Sequence, residues 1–171
     1  KVQDYESRSY AWFNEHIIIS EQDRSVMFGS GGQDVTILPN GIDTTFFAPR
    51  AEAKTQDVTF VGNMNYPPNV DAAAFLVNSI MPIVWRSMPQ TRVVIAGASP
   101  HRTVRALASE RVEVTGWVDD IRSRYAATRV FVAPMRIGTG LQNKLLEAMA
   151  MRIACVTTPS SHEPLGAESG R

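Results

Sequence analysis

The chain has 171 residues, 17 Lys+Arg against 17 Asp+Glu, with 44% hydrophobic and 20% charged residues. That make-up excludes a disordered tail and, with no net charge, a strongly basic nucleic-acid-binding module. No apolar run reaches the ~18 residues that a bilayer span needs, and the lone Cys155 excludes an internal disulfide and points to a reducing compartment.

One domain, or one domain plus a fragment of another, fits this length. The opening at Lys1 and the stop at Gly170-Arg171 read as an excised piece of a longer chain. Tyr5 to His16 has helical spacing, with aromatics at Tyr10, Trp12 and Phe13. Ile17-Ile18-Ile19 reads as a buried strand, and Ser20-Glu21-Gln22-Asp23 as the cap of a following helix. Phe28 to Gln33 is a glycine-rich loop, and Val35 to Leu38 a short strand stopped by Pro39-Asn40-Gly41. Pro49 to Gln56 is polar and reads as a linker.

From Val58 the pattern is regular. Strand Val58–Val61 ends in Gly62, and a helix from about Asn69 is expected to be interrupted near Pro82, which breaks the helical ladder. Strand Arg92–Ala96 ends in Gly97, and a helix is expected from His101 to Ser109. Strand Val112–Thr115 ends in Gly116, followed by a helix over Asp119–Ala127. Strand Val130–Ala133 ends in Pro134, a helix covers Leu141–Met151, and strand Ile153–Thr157 closes the series. Five strands rich in β-branched residues, alternating with helices, predict an α/β fold: a Rossmann-like parallel sheet with helices on both faces. Ligands of such sheets bind at the carboxyl ends of the strands, near the point where strand order reverses. Glycine there admits a ligand close to the backbone, or simply makes a tight turn.

The segment Pro134-Met135-Arg136-Ile137-Gly138-Thr139-Gly140-Leu141-Gln142-Asn143-Lys144-Leu145-Leu146-Glu147 runs from a strand into a helix. Gly138 and Gly140 flank the expected helix start, where free backbone N–H groups and the helix dipole favour an anion. Arg136 and Lys144 add positive charge, so a phosphate or diphosphate suits the place. Leu141, Leu145, Leu146 and Met149 are expected to be buried. Lys144 and Glu147, three apart, share a face; a carboxylate there suits the two hydroxyls of a ribose, and a nucleoside diphosphate satisfies both charges. Two plainer readings stand beside this one. Thr139 with Gln142 fits a capping box, and Lys144 with Glu147 fits a surface ion pair.

Pro134-x-Arg136-x-Gly138-x-Gly140-Leu141-x-Asn143-Lys144-x-Leu146-Glu147-Ala148-Met149-Ala150 resembles the signature of the retaining glycosyltransferases of family 4. Those enzymes have the GT-B fold of two Rossmann-like domains. Leu38 to Phe47 resembles the family's entry into its second domain, Phe60-Val61-Gly62 its first glycine loop, and Val114 to Asp120 its loop near the nucleobase. The resemblance covers about residues 12–166.

It implies that residues 1–45 are the end of an amino-terminal acceptor domain with its linker. Residues 46–171 would be a nucleotide-sugar donor-binding domain, incomplete at its carboxyl end. Gly62 would face the diphosphate and donor sugar, and Gly116 and Val118 would offer backbone groups to the base. Gly140 and Leu141 would offer amides to phosphate, with Lys144 as an extra phosphate contact and Glu147 on the ribose. Three departures matter. Thr139 stands where the motif's first glutamate belongs, and Asn63 begins a stretch where the family often has Arg and Lys for the diphosphate. Arg152 and Ala154 replace a usual Gly and Pro. Arg136 and Lys144 are the candidates for the displaced charge.

The implied reaction is transfer of a sugar from a nucleotide-diphosphate donor to an acceptor hydroxyl with retention, in glycan or polysaccharide synthesis. The nucleotide sugar is a substrate and no cofactor is expected. The acceptor, a glycan or lipid-linked, would be met by the missing domain, so the piece alone is expected to be inactive. No nucleic-acid partner and no transmembrane segment are expected. The location implied is cytoplasmic, at the inner membrane face in many such enzymes, although no basic amphipathic helix supports the latter. His16, His101 and His162 lack metal-ligand spacing, and no metal site is expected. Asp119-Asp120 fits a metal pair or a stabilised helix start. Cys155 fits a small buried hydrophobe, and Phe28 to Gly32 lacks the Lys and Ser/Thr of a P-loop. Trp117 borders the expected base site. Two other classes compete: a sugar-nucleotide 2-epimerase, which would need carboxylates and a His that the sequence does not place, and a receiver-like partner-binding module, which would need an acidic cluster that Val58–Gly62 does not end in.

Overall fold

The β-branched runs form two parallel sheets. A computed structural model of the chain describes residues 5, 8–29, 34–138, 140–168 and 170. β1 (His16–Ile18) pairs with β2 (Val35–Ile37), His16 lying opposite Val35. Between them runs α1 (Glu21–Phe28), capped by Ser20, whose Oγ accepts the Asp23 N–H at 3.1 Å. The helix expected over Tyr5–His16 stops early. Residues 8–10 are helical and 11–12 turn. His16 stacks on Tyr10 at 3.5 Å, its Nε2 lying 2.7 Å from the Tyr10 carbonyl.

The main sheet has five parallel strands in the order β5-β4-β3-β6-β7. They are β3 (Gln56–Val61), β4 (Val93–Ala96), β5 (Val112–Gly116), β6 (Thr128–Ala133) and β7 (Ala154–Thr157). Val58 sits between Val93 of β4 and Val130 of β6. Phe60, Val93, Ile95 and Phe131 are fully buried because helices cover both faces. Right-handed crossovers assign those faces. β3, β4 and β5 step one way, so α2 (Pro67–Phe75), α3 (Met81–Ser87) and α4 (Arg102–Arg105) share one side. β5 to β6 to β7 steps the other way, so α5 (Ile121–Ala126) and α6 (Asn143–Ala150) share the opposite side. α7 (Pro159–His162) and a 3-10 turn (Glu163–Leu165) follow β7. Strand order reverses between β3 and β6, which puts a crevice at their carboxyl ends.

Three expectations take a more definite form. The helix starts at Pro67, and its α-helical ladder is interrupted just before Pro82 without the chain leaving the helix. A π-helical turn, Leu76–Ile80, precedes Pro82, and Met81 N–H reaches back to the Leu76 carbonyl. That wider turn accommodates a ring that an α-helical turn would clash with. α4 ends at Arg105 instead of Ser109, because Ser109 exchanges backbone hydrogen bonds with Val112. α6 begins at Asn143, not Leu141, with Gln142 as an N-cap that makes no side-chain cap bond. Gln142 is therefore not the third residue of a capping box, and Thr139 lies outside the described residues. α6 buries Leu145 and Ala148; Leu141 and Leu146 are half-buried and Met149 is 43% exposed.

The segment between the sheets is fastened to the larger one. Asp43 Oδ1 accepts the N–H groups of Thr45 and Phe46, both at 2.9 Å. The Arg122 guanidinium lies 3.7 Å over the Phe46 ring. Asp120, the N-cap of α5, is held by Arg122 at 2.7 Å and Arg50 at 3.1 Å. The Arg122 hydrogen bond holds its carboxyl down to about 2. Lys54 Nζ donates to the Ala126 carbonyl at 2.8 Å. Upstream of Asp43, Asn40 Nδ2 donates to Asn143 Oδ1 at 3.0 Å.

Candidate functional site

The crevice has a floor of backbone. Gly62 N–H donates to the Ala96 carbonyl and Gly97 N–H to the Gly116 carbonyl, both at 3.1 Å. Gly97 has φ +143°, and a Cβ there would sit 1.7 Å from the Gly62 carbonyl oxygen. Only glycine allows this approach. A Cβ on Gly62 would in turn meet Asn69 Nδ2 at 2.7 Å. The exposed Asn63 folds its own loop, its Oδ1 accepting the Asn65 N–H at 3.0 Å. Beyond Gly116, Trp117 is 74% exposed and donates its indole N–H to Asp119 at 2.9 Å, while Val118 packs against the core. Asp119 and Asp120 are thus engaged by Trp117, Arg122 and Arg50. Among the described residues no group of three or more His, Cys, Asp or Glu is placed to hold a metal.

The opposite wall carries the charge. Met135 follows β6, buried, its carbonyl accepting from Thr158 Oγ at 2.5 Å. Lys144 Nζ reaches from α6 across the rim to Asn69 Oδ1 of α2 at 2.5 Å, 3.9 Å from the Met135 sulfur and 5.1 Å from the centre of the Phe60 ring. Burial lowers this amine to about 8, against the opposing pull of Glu147. Lys144 forms no ion pair with any described residue. Asn69, itself 5% exposed, donates its Nδ2 to the Asn63 carbonyl at 3.0 Å. The Gly62–Asn63 loop and Lys144 are therefore joined through one buried amide. Glu147, half-buried, accepts from the Tyr125 hydroxyl at 2.7 Å. Lys144 and Glu147 are not paired with each other, so the surface-pair reading does not hold.

Two of the expected contacts look different in three dimensions. Arg136 is held in a fork by Asp71, at 2.6 and 3.0 Å, and lies 4.3 Å over the Phe75 ring. Its charge is already matched. In the turn before α6, a Cβ on Gly138 would meet nothing within 4 Å, but Gly140, with φ +82°, is buried against α1. A Cβ there would lie 2.5 Å from the Asp23 carboxylate. An anionic side chain thus already stands before the second glycine of the turn, while the first faces open space.

Three participants escaped sequence reasoning: Asn69, Tyr125 and Asp23. Asn69 shares the start of α2 with a second polar residue, Asp71, so nothing local singles it out. Tyr125 reads as core from its spacing, and nothing local links Asp23 to a turn more than a hundred residues on. His16 and His101 make structural contacts instead. His101 Nδ1 caps α4, accepting from Thr103 N–H at 3.3 Å. Cys155 is half-buried instead of fully buried, its thiol donating to the Ile153 carbonyl at 3.3 Å and pushed up to about 11 by burial.

Residues 55–169 match the model of the family described as glycosyl transferases, group 1. A 44.6 kDa protein in the cps region of Klebsiella pneumoniae is 25% identical over 123 residues, 67% of this chain and 32% of its own length. Anabaena Alr3699/HepE, solved with UDP and glucose, superposes with a TM-score of 0.70 at 15% identity, over 90% of this chain and 46% of that one. The pneumococcal O-GlcNAc transferase GtfA, solved with UDP and GlcNAc, gives 0.73 at 14% identity, over 98% and 34%. The C-terminal domain of LpcC from Francisella tularensis gives 0.52 at 19%, over 72% and 73%. These likenesses share the α/β fold with its parallel sheet. The chain spans about a third of the curated relative and a third to a half of the two larger structures. Among the described residues no helix is long and apolar enough to cross a membrane.

Proposed function

The chain belongs to the group 1 glycosyl transferases, and on that premise we propose that it is the donor-binding part of a retaining family 4 enzyme, gripping a nucleotide sugar at the β3/β6 crevice. The observation that carries this reading is the separation of duties on α6. One turn apart, Lys144 offers a half-buried amine, held by Asn69 and by no carboxylate among the described residues, at the strand ends, and Glu147 offers a carboxylate anchored by Tyr125.

Lys144 meets the diphosphate, taking over the charge absent from the Asn63 loop. Gly62, Gly138 and the Leu141 amide border it, and Asn69 keeps the amine aimed. The Asp23 carboxylate gives way to phosphate at Gly140, or the phosphates approach from the open Gly138 side. Glu147 accepts the ribose hydroxyls, while Gly116 and Val118 present backbone to the base. Arg136 contributes only so far as Asp71 releases it. The reaction breaks the bond between the sugar's anomeric carbon and the diphosphate and forms one to an acceptor hydroxyl. The half-buried cation stabilises charge on the departing diphosphate. Residues 1–45 are read as the end of the acceptor domain, and the acceptor as a glycan or a lipid-linked glycan met by the rest of the protein at the cytoplasmic membrane face. The nucleotide sugar is a substrate, and the scheme calls on no resident cofactor. The UDP complexes of the structural neighbours and the cps-region relative support this reading.

Thermal melting with UDP, GDP and ADP tests it. A nucleotide at about 100 times its Kd stabilises the fold by roughly 2.7 kcal/mol. No shift with any of the three, at millimolar concentration, removes the reading.

A further inference from the structure

Tyr125 does something its burial hides. It sits on α5 with no exposed surface, its ring against Phe131 at 5.3 Å and Phe47 at 6.4 Å. At the end of this apolar slot its hydroxyl donates to Glu147 Oε2 at 2.7 Å and lies 3.3 Å from the Lys144 carbonyl. A phenol has one proton to give. Given to Oε2, it fixes that oxygen and leaves Oε1 and the second lone pair of Oε2 as acceptors. Glu147 takes no other side-chain hydrogen bond from a described residue. Burial, reinforced by the Glu147 charge, raises the phenol above its usual range, so it is a donor at neutral pH.

A carboxylate that must take two vicinal hydroxyls needs both oxygens presented in one plane, and a free glutamate side chain samples many rotamers. We propose that Tyr125 is the positioning residue of the donor site, its hydroxyl holding the Glu147 carboxylate in the orientation that accepts the 2′- and 3′-hydroxyls of the nucleotide ribose. The inference rests on Glu147 being the ribose acceptor, as proposed above. Preorganisation of this kind acts by removing an ordering cost at binding, so its loss appears only with ligands that use the carboxylate.

The test is a calorimetric titration of the 171-residue chain with UDP, GDP and ADP, and with the 2′,3′-dideoxy form of whichever binds most tightly. Tyr125→Phe keeps the ring. It is expected to weaken the ribonucleotide about tenfold and to leave the dideoxynucleotide within about twofold of wild type. A variant that weakens both ligands equally has merely loosened the fold, and the proposal falls. It falls too if Tyr125→Phe keeps the full preference for ribose while Glu147→Gln loses it, an outcome that spares the role of Glu147. If Glu147→Gln keeps the preference, or no nucleotide binds, the parent reading fails and takes this one with it. Should Tyr125→Phe not fold, 3-fluorotyrosine incorporated into the wild-type chain replaces it. The more acidic phenol then changes ribonucleotide affinity alone, and equal changes or none overturn the proposal.

Discussion

The two walls of the crevice are built in opposite ways. After β3 and β4 the glycines lie against one another, and the place of each missing side chain is filled, by the Gly62 carbonyl at Gly97 and by Asn69 at Gly62, whereas a Cβ on Gly116 after β5 would meet nothing within 4 Å. After β6 the glycines belong to a turn that brings charge to the rim, where Gly138 faces open space and a Cβ on Gly140 would meet the Asp23 carboxylate. The first wall is a packing solution and the second a chemical one. Glycine at a strand end therefore does not by itself mark a ligand contact. What distinguishes the two cases is whether protein already occupies the Cβ position.

The sharpest way to break this contrast is at Gly97. Alanine there combines a φ of +143° with a backbone clash at 1.7 Å, and it should cost more than about 3 kcal/mol, lowering Tm by roughly 10 °C. Gly138→Ala should cost only about 1 kcal/mol for its backbone strain. Equal drops in melting temperature would erase the distinction.

Next in size is Glu147. Glu147→Gln should weaken nucleotide binding about tenfold or more with Tm nearly unchanged, because the amide oxygen still accepts from Tyr125. Glu147→Ala should lose the same affinity and also about 1–2 kcal/mol of stability, since it leaves a buried phenol with only the 3.3 Å carbonyl. An alanine variant as stable as wild type would show that the Tyr125 bond carries no weight.

Lys144 gives a pH signature. Its amine titrates near 8 in the fold and at 10.5 in the unfolded chain. Between pH 8 and 9 the unfolded chain therefore holds more protons, and unliganded stability should rise by about 1 kcal/mol per pH unit. Above 9 the raised thiol of Cys155 opposes the trend, because there the folded state keeps the proton. Diphosphate affinity should fall over the same interval, as binding must restore the charge. Lys144→Met should flatten both curves, which chemical denaturation and titration at several pH values would reveal.

The smallest effect is expected from Asp71→Ala. Freeing Arg136 from an exposed pair should change Tm by no more than about 2 °C and nucleotide affinity by no more than about threefold. A larger gain would move Arg136 into the site proper.

The sheet was legible because its strands are continuous apolar runs punctuated by Gly and Pro, and Gly62, Gly97 and Gly116 fall where strand endings were expected. Helix ends were less legible. The start of α6 differs from the expectation because Gly-Thr-Gly imitates a cap, whereas the helix begins at Asn143. The π-turn before Pro82 leaves no local mark, since Leu76–Ile80 is ordinary helical sequence. Of the site, Lys144 and Glu147 could be found from their spacing, but Asn69 and Tyr125 could not, because each meets its partner only after distant segments close on one another.

The strap from Asp43 to Lys54 leaves a mechanical consequence. Its ends are clamped to α5 by Arg122, Arg50 and Lys54, so it travels as one body with the larger sheet. A swing of the small sheet would be taken up in residues 38–42, where Asn40 Nδ2 donates to Asn143 Oδ1. That bond ends on the first residue of α6, so the joint about which the molecule would flex is latched to the helix that bears Lys144 and Glu147.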